Sequence, residues 1–543
     1  MSRPSSSVRV ALLAPVAFLC GVLPARAAEP DREAAAEKAV KRHRAENALL
    51  PSTEPDARAV TKAAAGPSSG LPLHALYDDG FRLRSDDGKT ELRIVWSGQL
   101  DARMPMGESV APSSFDIRRA RLDLLGTIHK KLFIRIGLAG EDQAYIRNAF
   151  ADYAVGDALH LRVGQMKVPF STEWATFDNQ VNFVERAHSQ PIHPFLDRGI
   201  LVWGSVPGAP VVYNAGLYTG AGVDLDAPRG DVDASKLFAY RLFAQPFRES
   251  NVKALRGVYL VAQGTYEPAS AATRRFEARG LQSPTFESNI WRWRADQTLG
   301  TNGRNTDTIT AELDGKARVG AEAHYVNGPF TFSAEASVLR FRGVDVSHDF
   351  MQGSRRLARV PVLETGGTVK AASAWVSVFL TGEQKTIDNF GWRQPNPKKP
   401  VFGGEHTGPG AIELLARASV IQTDASLFTK RRVRGFSAGD LASTAPGQPT
   451  QALQGDAPGE GAQATVSVLE GAEQMNEVTL GVSWALAYAA KLQLNFVHTW
   501  VPNFRAGENG IVSGAGSELA DPTRRNTLVP SESLLALRFI FRI

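Results

Sequence analysis

Seven arginines recur in this chain on stretches that alternate polar and apolar residues. Arg119 and Arg121 stand two apart in FDIRRARLDL, and Arg135, Arg162, Arg241, Arg318 and Arg417 occupy comparable positions further along. A guanidinium offers a planar fork of donors that fits an oxyanion through two parallel hydrogen bonds, whereas a lysine adds a compact point charge. Fixed cations spaced so that an ion can pass from one to the next select anions in a pore. Lys167 and Arg186 flank the 169–197 stretch, the first long connection and the best candidate for a constriction. Asp123, Glu141, Glu322, Glu335 and Glu413 fall on the same faces, so each arginine has salt bridging as its alternative task. Taken one at a time, bracing is the stronger expectation; as a group, some of them line a path for anions.

The elements that must hold such a group are strands. In LHLRVGQMKVPFSTEW, Leu159, Leu161 and Val163 share one face, while His160, Arg162 and Gly164 share the other. A soluble sandwich buries its oily face, whereas a membrane barrel turns that face to lipid and the polar one inward. Sixteen runs of about ten residues, the length that crosses a bilayer when tilted, begin near residues 91, 115, 131, 145, 158, 198, 210, 236, 253, 316, 329, 368, 410, 476, 490 and 532. An even number lets a bacterial barrel close with both termini on one side. Alternate connections are short, among them 129–131, 156–158, 207–209, 249–252, 327–328 and 487–490. The others are long and include 169–197, 220–235, 267–315, 344–367, 424–475 and 502–531. Segment 384–409 is long on the short side, which implies either an extra strand pair or a segment tucked into the lumen.

Faces repeat this pattern. Val319, Ala321, Ala323 and Tyr325 precede the Asn327–Gly328 hairpin signal, with Phe330, Phe332, Ala334 and Ala336 after it. Glu322, His324, Ser333 and Glu335 lie opposite, and Ile412, Leu414, Leu492, Leu494 and Phe496 likewise oppose Glu413, Arg417, Lys491, Gln493 and Asn495. Tyr213, Tyr218, Trp375, Trp484 and Trp500 lie near strand ends, where an aromatic girdle is expected.

Composition narrows the class. Across 543 residues, 43% are hydrophobic and mean hydropathy is −0.18, with no run of the roughly 20 apolar residues a spanning helix needs. Arg3 and Arg9, the apolar stretch 10–23 and the small residues 25–27 read as a signal peptide over 1–27. Cys20, the only cysteine, falls inside it, so the mature chain would carry no disulfide framework or thiol nucleophile. Residues 31–50, capped by Asp31, read as a charged helix or a disordered tether, and a linker extends to 79. A net charge of +5 permits an anionic partner without requiring one.

Other chemistries find little support. His498 faces outward, where a barrel phospholipase would need a Ser/His pair, but no nucleophile is identified beside it. His188 and His193 share a loop without a convincing third metal ligand, and DLDAPRGDVD (224–233) reads as a solvated loop ahead of a calcium site. No phosphate-cradling loop, nucleic-acid pattern, catalytic set, metal centre or cofactor site is expected.

The stretches FDIRRARLDL, LRVGQMKVPFS, NFVERA, GAEAHYVNGPFTFSAEA, SVFLTGEQK, GAIELLARAS, VTLGVSWAL and LLALRFIFRI run in order over roughly residues 80 to 543. In them the chain resembles the phosphate-selective porin O and P family of bacterial outer-membrane channels. That resemblance implies an all-β, sixteen-stranded antiparallel transmembrane barrel, usually a homotrimer, with some long connections folded into the lumen and a charged helix before the barrel. The chain ends on Ile543, with Phe541 and Phe539 on its face, where such barrels commonly end on an aromatic residue. The expectation is a passive channel in the outer membrane, in contact with its lipid, passing inorganic anions such as phosphate, polyphosphate or chloride. Its rivals are a loop-plugged structural or surface-recognition barrel and a barrel enzyme.

Overall fold

The computed structural model describes residues 72–77, 80–106, 112–140, 144–188, 190–220, 222, 235–268, 281–282, 288–293, 297–302, 305–352, 355–403, 406–434, 463–513 and 527–543. The signal peptide 1–27, the helical segment 31–50, the 224–233 loop and Glu141 lie outside them. No helix among the described residues is long and apolar enough to cross a membrane.

Alternation of side chains with period two makes the strands, which close into a sixteen-stranded antiparallel barrel. They are β1 (Glu91–Met106), β2 (Ser114–Ile128), β3 (Leu132–Gly140), β4 (Ala144–Gly156), β5 (Leu159–Lys167), β6 (Leu196–Ser205), β7 (Val211–Tyr218) and β8 (Leu237–Ala244). Then follow β9 (Val258–Pro268), β10 (Asn305–Asn327), β11 (Phe330–Gln352), β12 (Arg355–Phe379), β13 (Ala411–Thr423), β14 (Gln474–Ala487), β15 (Ala490–Trp500) and β16 (Ser531–Arg542). Each pairs with the next. The last returns to the first, from Ser533 opposite Met106 to Arg542 opposite Ser97, and Ile543 exchanges two backbone hydrogen bonds of 2.8 Å with Trp96. Closure leaves no edge in the bilayer, where an unpaired peptide group costs several kcal/mol. The terminal isoleucine is therefore a full member of the ladder.

Faces divide as the alternation predicts. Val319, Phe330, Val338, Leu414, Leu494 and Leu537 are exposed on the outside. Thr331, Ser333, Glu335, Glu413, Arg417, Gln493 and Asn495 are buried within. The Asn327–Gly328 turn joins β10 to β11, with Gly328 at φ +54°, a left-handed conformation that glycine adopts without strain.

Four expectations need correction. Strand β9 starts at Val258 because residues 253–257 form a 3₁₀ turn. Within the expected loop 344–367, residues 344–352 and 355–367 are strand, since β11 and β12 run for 23 and 25 residues and β10 pairs with β11 as far as Asn305 opposite Gln352. Tyr218 and Trp375 do not join a girdle: they are buried at 1% and 4% exposure, Trp375 packing on Trp392 inside the barrel. Within the expected linker, Leu73–Tyr77 forms a hairpin with Phe81–Ser85, which extends the wall beside β1.

Candidate lumenal site

Residues 168–195, between β5 and β6, fold across the inside of the barrel. Phe170, Ser171, Thr172 and Val184 are at most 1% exposed. The fold begins with a single helical turn, Thr172–Ala175, whose Ser171 cap accepts from the Trp174 N–H. At its other end Lys167 Nζ donates to the carbonyls of Trp174, Ala175 and Thr176 at 2.7, 3.4 and 2.9 Å. The far wall holds the same turn. Glu322 accepts from the Thr172 N–H at 3.0 Å, Glu335 accepts from Ser171 Oγ at 2.8 Å, and Arg241 donates to Thr172 Oγ1 at 2.6 Å. Beyond Asp178 the chain runs along β15, where Gln493 Nε2 donates to Asn182 O at 2.8 Å and Asn495 accepts from the Val184 N–H at 2.5 Å. The loop is thus bolted to both sides of the lumen.

At its start the loop carries Asp178 into a set of arginines. Arg147, Arg186, Arg121 and Arg119 approach this carboxylate at 2.9, 2.9, 3.5 and 3.7 Å. Burial alone would raise the Asp178 pKa; the charges of Arg147, Arg119, Arg186 and Lys167 outweigh it and hold the group well below the usual carboxylate range. A second cluster adjoins the first. Arg538 grips Asp101 with Nε and Nη2 at 2.6 and 2.7 Å, and donates to Glu185 at 3.1 Å. Arg103 also pairs with Asp101 and Glu185, and Arg118 lies 3.9 Å from Glu185. This half of the wall is rich in guanidinium.

The opposite half is filled differently. The first part of segment 384–409 tucks inward, where a small hairpin pairs Thr386–Asp388 with Gly391–Arg393, while Val401 and Phe402 are exposed, so both readings of its length hold in part. Trp392 and Ile387 pack with Phe183, Phe243, Val261, Val326, Trp375 and Leu415 into an apolar cluster. Lys385 fixes the segment by pairing with Glu413 at 2.6 Å, both side chains being wholly buried, and by donating to Asn182 at 2.6 Å. Burial lowers the Lys385 pKa and Glu413 opposes that shift. Lys385→Met would leave Glu413 buried without its cation, at a cost of about 3–5 kcal/mol. The segment should then unseat, and single-channel records should show larger, flickering conductance; a trace like the parent's would contradict this anchoring.

The structure brings Arg119, Arg121 and Arg186 together and places Lys167 beside them, spent on backbone carbonyls. It separates the rest. Arg135 pairs with Asp123 at 2.8 Å, and Arg162 pairs with Asp152 at 2.7 Å with its guanidinium over Phe150 and Phe390. Arg241 donates to Asn389 O at 2.6 Å, Arg318 to Ile192 O at 2.8 Å, and Arg417 to Glu477 at 2.9 Å and Glu185 O at 2.8 Å. These hold inserted segments against the wall.

Period-two reading misses Arg118 and Arg147. A bulge in β2 leaves Arg118 between Ile117, opposite Leu100, and Arg119, opposite Gln99. A second in β4 does the same for Arg147, between Ile146 and Asn148. Each extra residue turns a side chain inward that strict alternation points to lipid. Arg103 and Arg538 needed no such device, since their neighbours alternate regularly.

The two loop histidines go to different partners: His188 lies 3.4 Å from Glu477, and His193 meets Ser337 Oγ at 2.9 Å. Among the described residues no group of three or more His, Cys, Asp or Glu side chains is placed to hold a metal ion. Burial, opposed by Glu477 and aided by Arg417, pushes the His188 pKa from 6.5 down to about 4. In a released loop this imidazole would titrate normally. Its contribution to holding the loop is therefore complete above pH 6.5 and declines as pH falls toward 4. Current noise should rise across that window and His188→Gln should flatten the response; an equal response in both proteins would remove His188 from the account.

The profile of the family described as phosphate-selective porin O and P matches residues 89–439. No curated protein sequence matches. Among solved structures, an anion-selective porin from Comamonas acidovorans is similar at TM-score 0.44 and 8% identity, over 84% of this chain and 100% of that one. OmpT, an outer membrane protein of Vibrio cholerae, aligns at TM-score 0.43 and 10% identity, over 84% and 98%. The outer membrane channel DcaP of Acinetobacter baumannii aligns at 0.42 and 9%, over 86% and 99%. These are likenesses of fold and transfer no permeant or assembly to this chain.

Proposed function

This chain belongs to the phosphate-selective porin O and P family, the outer-membrane channels of bacteria, and from that premise we propose a passive channel with anion preference. Anions move down their gradient past the arginine wall of β1 to β5; no bond is made or broken. The observation that carries this reading is the convergence of Arg119, Arg121, Arg147 and Arg186 on the single carboxylate of Asp178. Four guanidinium groups drawn together on one carboxylate concentrate positive charge at this wall, and their fork geometry suits an oxyanion such as phosphate. The apolar cluster around Trp392 packs against β8, β9, β10, β12 and β13, which supports a path along the arginine wall instead. The functional unit we propose is a homotrimer exported by its N-terminal signal.

Reversal potentials in planar bilayers under a salt gradient test this. Values near the chloride equilibrium potential, and a falling chloride current as phosphate is added, support the reading. Reversal near the potassium potential would refute it. A second reading, a barrel closed at rest, is favoured by the apolar core in which Ile290, Trp291, Leu469 and Ile511 pack against Val344 and Val346 of β11 at the long-loop end. A protein that inserts without conducting would establish it.

A further inference from the structure

The outward faces of β11 and β12 are apolar up to one row and then turn basic. On β11, Phe330, Phe332, Ala334, Ala336 and Val338 lead to Arg340 and Arg342. On β12, Val378, Val376, Ala374 and Ala372 lead to Lys370 and Thr368. Val338 faces Lys370 and Arg340 faces Thr368 across the ladder, so three exposed cations stand together where the apolar band stops. Among the described residues Arg340 and Lys370 have no hydrogen-bond or ion-pair partner. Arg342 donates to the Tyr266 hydroxyl at 3.1 Å.

The backbone opens a cleft at the same level. The pairing of β11 with β12 slips between Phe341 and Val344, next to Gly366 and Gly367, and Gly343 sits at φ +49°. The resulting polar cleft has a volume of about 440 Å³, and Arg340, Arg342, Gly343, Gly366, Thr368, Asp314 and Asp424 are among the residues that line it. Asp424 Oδ2 is turned to the Thr368 N–H at 2.9 Å. Above the cleft Glu312, Asp345 and Glu364 face one another in register, so an anion is confined to the basic row beneath them.

We propose that this cleft binds the phosphate group of a phosphorylated lipid of the outer leaflet. Cations are tolerated on a barrel exterior only near the interface, which fixes the level as that of lipid headgroups. Arg340 and Arg342 line the cleft and Lys370 stands next to it, opposite Val338, so bidentate and point-charge contacts to a phosphate oxygen are supplied together. The inference requires the barrel's place in the outer membrane but not its conductance.

The test titrates the full-length protein in detergent, by native mass spectrometry, with a phosphorylated disaccharide lipid and with the same lipid lacking phosphate. The parent should retain the phosphorylated lipid selectively. The triple variant Arg340→Gln, Arg342→Gln, Lys370→Gln should bind it about a hundredfold more weakly, and Arg340→Gln alone about fivefold, each basic residue adding a similar increment near an anionic surface. Conductance should stay as in the parent, because none of the three faces the lumen. Equal retention by the variants, or equal binding of the dephosphorylated lipid, would overturn the proposal. Inorganic phosphate binding to the cleft as tightly as the phosphorylated lipid would reassign the cleft to free anions and overturn it as well.

Discussion

Asp178→Asn should raise the anion-to-cation permeability ratio about fivefold or more. The substitution keeps the shape of the side chain and removes one negative charge from the midst of Arg119, Arg121, Arg147 and Arg186. At about 4 Å and an effective dielectric near 20, two unit charges interact by about 4 kcal/mol, and salt within a Debye length of about 8–10 Å erodes that to a fraction. The remainder still suffices for a severalfold change. A mobile anion would then take the position that the carboxylate leaves. The same variant should be less stable at low salt, since its arginines face one another without their shared counter-ion, and phosphate or sulfate should restore much of the loss. Because the Asp178 pKa is held well below its ordinary 3.8, the group stays ionised above that value and its stabilising charge is lost only as pH falls through the depressed pKa. Lowering pH to about 4 should therefore not reproduce the mutation. A ratio unchanged or shifted toward cations in Asp178→Asn would mean that permeating ions do not meet this cluster.

The second large effect concerns stability. Arg538 is fully buried on β16 and binds both oxygens of Asp101 on β1, across the seam where the barrel closes, as well as Glu185 on the inserted loop. Arg538→Met fills similar space without charge and leaves both buried carboxylates to share Arg103, with Arg118 3.9 Å from Glu185. Removing one partner of such a pair costs about 3–5 kcal/mol, far more than the pair itself contributes over apolar packing. The detergent-solubilised variant should unfold at a clearly lower temperature than the parent. Adding Asp101→Asn should recover part of the loss, since Arg103 then serves Glu185 alone. A parent-like midpoint for Arg538→Met alone would show that the seam does not depend on this pair.

Strand alternation was legible because lipid and lumen impose opposite demands on successive residues. LHLRVGQMK and AIELLARAS keep their faces in the structure as in the sequence, and the order of short and long links set the closure. Where a neighbour could stand in for lipid or water, the pattern misled. Trp375 sits near a strand end, as a girdle residue would, yet segment 384–409 supplies it with an apolar partner inside the barrel. The glycines of 344–367 resemble a loop, but there they permit a register slip within continuous strands. The site was half visible. Arg119 and Arg121 follow from alternation, whereas Arg118 and Arg147 depend on bulges that no periodicity announces. Asp178 drew no attention, since only the path of the loop across the lumen brings it to the arginines.

The most direct test is the zero-current potential of single channels formed by Arg119→Gln, Arg121→Gln, Arg147→Gln, measured beside the parent under a tenfold potassium chloride gradient. The arginine wall predicts that the parent reverses near the chloride potential and that the triple variant moves most of the way to zero. A variant that conducts and reverses like the parent would contradict it.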